Sequence, residues 1–183
     1  MTAHIGIALA LILALATPAA AAPTASTLLQ VSGDVPVRCK MSPPSASGAA
    51  NATFTSNGTG GDIAITALVG SDAMTLASQA SLQIPIVCSG SHALTVTTRG
   101  GLANQNAATP SPDFAVRADY LLTARWGAVT QSVTTSGSAV TLDLSQGSAQ
   151  AGDLSLDISL PAGKGPMTSG TYTDEITIQL NAQ

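Results

Sequence analysis

Residues 170–180 read Gly-Thr-Tyr-Thr-Asp-Glu-Ile-Thr-Ile-Gln-Leu, and apolar and polar positions alternate along them. Tyr172, Ile176, Ile178 and Leu180 share one parity, Thr173, Glu175, Thr177 and Gln179 the other. A period of two sets these groups on opposite faces of an extended chain. The pattern predicts a half-buried β-strand, and its β-branched content agrees. The Gly- and Pro-rich segment before it, 161–169, reads as the loop that delivers the chain into that strand.

The same alternation recurs upstream. Leu29, Val31, Gly33, Val35, Val37 and Cys39 alternate with Gln30, Ser32, Asp34, Pro36 and Arg38. Pro36 lacks an amide donor, which divides this stretch into an arm ending at Val35 and a first domain strand starting at Val37. Further strands are expected around Ile63–Ile65–Ala67–Val69, Leu82–Ile84–Ile86–Cys88, Leu94–Val96, Val140–Leu142–Leu144 and Leu154–Leu156–Ile158–Leu160. Pro85 points to an edge or a bulge. The longest pattern carries Phe114, Val116, Ala118, Tyr120, Leu122, Ala124 and Trp126 on one parity. Residues 42–62 and 103–113 read as loops. Of the five aromatic residues, Phe114, Tyr120, Trp126 and Tyr172 fall in two predicted strands and are expected to anchor the core. No sustained 3.6-residue apolar period occurs after residue 22, so the expected fold is an all-β sandwich.

Composition narrows the function. Of 183 residues only 9% are charged, and the net charge is -4 with six basic residues scattered along the chain. That leaves no electrostatic footprint for nucleic acid. Residues 5–16 are continuously apolar, too short to span a bilayer, and a Pro followed by an Ala run comes next. This predicts a signal peptide over residues 1–21, the alternative being an uncleaved membrane anchor. Export to an oxidising compartment predicts a disulfide between Cys39 and Cys88.

Catalytic patterns are missing. His92 lies beside Ser91, but neighbours on a strand face opposite ways, so the two do not form a base and nucleophile; His92 is expected at the surface. Asp174 and Glu175 split across faces, and Asp153 and Asp157 share a solvated one. Neither a phosphate-binding glycine motif nor a calcium-loop signature occurs. The chain is expected to be no enzyme and to need no cofactor or metal. Asn51-Ala-Thr53 and Asn57-Gly-Thr59 match the glycosylation pattern but read as plain loop residues.

The order of features carries a resemblance. An alternating arm precedes Cys39, and Ile84-Pro-Ile-Val-Cys88 closes a strand. Arg99-Gly-Gly101, Tyr120-Leu-Leu-Thr-Ala-Arg-Trp-Gly127 and Leu160-Pro-Ala-Gly … Gly170-Thr-Tyr-Thr-Asp174 follow. Together these resemble the spore coat protein U domain family, shared by pilin subunits of the archaic chaperone-usher pathway. The chain departs from that family in lacking a Phe-Gly motif after the first cysteine, where Phe54 stands alone. The resemblance implies an immunoglobulin-like sandwich missing one strand, secreted through the periplasm to the cell surface as part of a fimbrium. It implies a donor-strand arm over residues 22–35, with Leu29, Val31, Gly33 and Val35 inward, and a sandwich domain over 36–183. Tyr172, Ile176, Ile178 and Leu180 would wall the acceptor groove. The partners implied are identical or related pilin subunits, a periplasmic chaperone and an outer-membrane usher. The alternative is a monomeric secreted coat or carbohydrate-binding sandwich in which the arm folds back as an edge strand.

Overall fold

A computed structural model describes residues 27–106 and 112–183. The expected signal peptide, and residues 22–26 of the expected arm, lie outside the described residues. The chain divides into two units at Asp34/Val35. In the first, residues 27–34 adopt no strand, and Leu28, Leu29 and Val31 are exposed.

Among the described residues every strand belongs to the second unit and no helix occurs. In chain order the strands are β1 (Cys39–Met41), β2 (Ser45–Ala50), β3 (Ala52–Ser56), β4 (Gly61–Ile65), β5 (Ser78–Cys88), β6 (His92–Thr98) and β7 (Leu102–Asn104). There follow β8 (Arg117–Ala118), β9 (Leu121–Trp126), β10 (Val129–Thr134), β11 (Val140–Asp143), β12 (Gln150–Leu160), β13 (Tyr172–Thr173) and β14 (Ile176–Ala182).

The largest sheet runs β1-β5-β12-β9-β10, with β2 also on β5, and every pairing is antiparallel. Its spine is the β5–β12 ladder, in register from Ser78↔Leu160 to Cys88↔Gln150. A second sheet runs β11-β6-β14, a small third runs β13-β7-β8, and β3 pairs with β4 as a separate hairpin. Inward residues of β5, β9 and β12 (Ile84, Ile86, Leu122, Trp126, Leu154) and of β6 (Leu94, Val96) meet in one cluster, each 2% exposed or less. Two sheets sharing that core make an all-β sandwich. Each such aliphatic side chain contributes about 1.5–3 kcal/mol by leaving water.

Pro85 sits in the interior strand β5 rather than at an edge. Its carbonyl accepts the Ser42 N–H at 2.9 Å, and a residue's N and C=O point to the same side of an antiparallel strand. The missing donor therefore faces the place where β1 gives way to β2, and no ladder bond is lost.

The alternation predicts the buried parities of β5, β6, β9 and β12 correctly, but several local expectations fail. Residues 42–62 are not a loop; they supply β2, β3 and the start of β4. Their Ser, Ala and Gly side chains carry little apolar contrast, and β2 is set by its pairing with β5 instead. The strand expected through Phe114–Trp126 breaks at Asp119–Tyr120, where the Thr135 hydroxyl takes the Tyr120 N–H at 2.9 Å. Phe114 is consequently 45% exposed, while Tyr120 and Trp126 are buried. Ala103 and Asn104, read as the start of a loop, belong to β7, and β10 carried no sequence signal.

Candidate acceptor groove

The closing strand does not run continuously from residue 170 to 180. Asp174 interrupts it, because its carboxylate is committed elsewhere. Oδ2 accepts the Gly101 N–H at 2.9 Å and the Tyr120 hydroxyl at 2.7 Å, and Oδ1 accepts the Glu175 N–H at 2.8 Å. Gly101 adopts φ +115, and a Cβ there would press on Asp119 and Thr135, so the Arg99-Gly-Gly101 turn requires glycine at that position. Burial, followed by the bond to Asp174, pushes the Tyr120 hydroxyl well above the ordinary tyrosine pKa. Arg99 and Glu175 pair at 2.6 Å with both side chains mostly in solvent, a contact that contributes little. Before this break β13 pairs with β7; after it β14 pairs with β6.

β14 is placed by Ile176↔Thr98, Ile178↔Val96 and Leu180↔Leu94. Among the described residues it pairs with no strand other than β6, so its second edge offers free backbone donors and acceptors. Its inward side chains, Ile176, Ile178 and Leu180, are only half-buried, whereas their partners Val96 and Leu94 are fully buried. The cause is an open cavity of about 610 Å³, bordered by Tyr172, Ile176 and Ile178 on one side and floored by Leu82, Ile158 and Leu160. Leu180 continues the same face beyond the residues that border the cavity. Tyr172 is held by its hydroxyl, which donates to the Thr168 carbonyl at 2.7 Å.

Of the residues expected in the site, Tyr172, Ile176 and Ile178 therefore come together. Leu29, Val31 and Val35 are exposed by 81% or more, and a Cβ at Gly33 would meet nothing within 4 Å. Cys39 and Cys88 are joined as a disulfide between directly opposed residues of β1 and β5. Sequence reasoning missed Phe54, which borders the cavity from β3 together with Ile63 and Ile65 of β4. The alternation of Phe54 with polar neighbours was the available signal, diluted by the surrounding Ser and Gly.

His92, expected at the surface, is fully buried. Its Nε2 accepts the Trp126 indole N–H at 2.9 Å, and its Nδ1 lies 3.1 Å from the Gly90 carbonyl. An acceptor at Nε2 and a donor at Nδ1 define one neutral tautomer that satisfies the only buried tryptophan. The ring lies near Cys39 and Cys88, but the sulfurs are bonded to each other and both ring nitrogens have partners, so this cluster offers no open metal site. The Asn51 carboxamide is likewise occupied, donating at 2.7 Å to both the Ala67 carbonyl and Ser78 Oγ.

No protein-family model, curated protein or solved structure matches the chain.

Proposed function

We propose that this chain is a structural subunit of a surface pilus or fimbria, an immunoglobulin-like sandwich lacking one strand and completed by donor-strand complementation. The observation that carries the reading is β14: an edge strand with free backbone groups, whose half-buried aliphatic face borders an apolar cavity. Such an edge is an aggregation hazard unless something covers it. The alternating arm has the complementary property, aliphatic side chains held in water. Residues 29–35 match the seven residues of β14 in length.

Adding a strand to a sheet edge combines a main-chain ladder with side-chain pockets. Each inserted aliphatic residue contributes about 1.5–3 kcal/mol by burial, and each ladder bond about 0.5–1.5 kcal/mol net. In this reading a periplasmic chaperone occupies the groove first, an outer-membrane usher presents the subunit, and the arm of the next copy replaces the chaperone. The resemblance to the spore coat protein U family supplies that pathway.

Ile178→Asp tests it, because a carboxylate at the groove wall cannot pack against an inserted aliphatic strand. In cells that carry the chaperone, the variant is expected to lose chaperone capture and be degraded in the periplasm. Accumulation of chaperone-bound Ile178→Asp at the wild-type level contradicts the groove assignment.

A further inference from the structure

The hairpin of β3 and β4 brings Phe54, Ile63 and Ile65 to the same cavity that Ile176 and Ile178 border. Its strands pair only with each other among the described residues, so no ladder to a larger sheet holds it there. What holds it is Asn51, at the junction of β2 and β3, in the left-handed conformation (φ 51) that Asn tolerates better than most residues. The Asn51 carboxamide accepts the Ala67 N–H at 3.0 Å and donates to the Ala67 carbonyl and Ser78 Oγ, while its main-chain carbonyl accepts the Thr66 N–H at 3.0 Å. Both feet of the hairpin are thereby tied to the start of β5. At the other end, Gly61 makes room for an aromatic ring: a Cβ there would overlap Phe54.

An aromatic side chain facing an open cavity forgoes contact on that side. We propose, resting on the strand-acceptor reading above, that the β3–β4 hairpin is the second wall of the groove. An incoming strand lies between β14 and the hairpin, with β14 supplying backbone bonds and Phe54, Ile63 and Ile65 covering its inward side chains. The occupant is the arm of a second copy, residues 27–35, whose Leu29, Val31 and Val35 are the most exposed aliphatics available in the right alternation. A backbone ladder accepts almost any sequence, so selectivity for this arm lies with the hairpin, and with Phe54 first. Asn51 is a positioning residue that acts through the hairpin.

The test is photo-crosslinking in the full mature chain. p-Benzoylphenylalanine is placed at position 54 or, in a second variant, at position 178, and each is assembled with isotopically labelled wild-type chain. Mass spectrometry then identifies the captured peptide. Capture of labelled residues 27–35 from both positions supports the second wall. Capture from position 178 but not from 54 overturns the wall and leaves the fibre reading standing, while capture from neither removes both. Phe54→Ala gives a second readout: assembled oligomers are expected to dissociate about tenfold faster, with Phe54→Leu restoring part of the loss. An unchanged rate overturns the assignment of Phe54.

Discussion

Asp174→Ala probes the pin that sets the start of β14. The substitution removes the acceptor of the Tyr120 hydroxyl, on a residue 2% exposed, and of the Gly101 N–H. A buried donor left without a partner costs about 1–3 kcal/mol. The Gly101 contact is only part-buried and stands at the low end of that range, so the expected total is about 2–4 kcal/mol. Tyr120→Phe is milder, about 1.5–2 kcal/mol, because Asp174 keeps its bond to Gly101 and no donor is orphaned. In the double variant the hydroxyl is gone before its acceptor is removed. The two losses should therefore fall short of additivity by about 1–2 kcal/mol. Trp126, the one tryptophan, is fully buried and reports urea unfolding by fluorescence. A loss under about 0.5 kcal/mol for Asp174→Ala, or strict additivity in the cycle, would refute the claim that this carboxylate fixes the groove wall.

Alkaline pH tests the same network. Because the folded pKa of Tyr120 lies above its unfolded value, its contribution is whole below about pH 10 and is lost as pH rises from there through the raised value. Wild type should lose stability above that point more steeply than Tyr120→Phe in urea melts taken at successive pH values; parallel slopes contradict the assignment. Replacing both Cys39 and Cys88 by Ser removes a crosslink spanning 49 residues, which the chain-entropy model values at about 4 kcal/mol. The variant's urea midpoint should match that of the reduced wild type, and an unchanged midpoint in both contradicts a stabilising bond.

Much of this fold is legible in the sequence because a half-buried strand writes its two faces as two parities. Leu82 to Cys88, Leu154 to Leu160 and Ile176 to Leu180 each show it, and each is a strand. What was hidden has a physical reason in each case. Ser45–Ala50 is made of side chains too small to show a face, so its pairing with β5 leaves no periodic trace. His92 reads as polar and surface-bound because its burial depends on an indole from a strand distant in sequence. The breaks at Asp119–Tyr120 and at Asp174 come from hydrogen bonds across the fold, invisible to any local window. The candidate groove was half legible: the β14 face was written in the alternation, whereas the hairpin that borders the same cavity depends on the Asn51 clamp.

The most direct test of the central claim compares the mature chain with and without residues 22–35 on denaturing gels, unheated and boiled. A ladder of oligomers that collapses on boiling is expected for the full mature chain, and monomer alone for the truncated one. Monomer in both, unheated, would mean that the sandwich completes itself, and would contradict assembly through the arm.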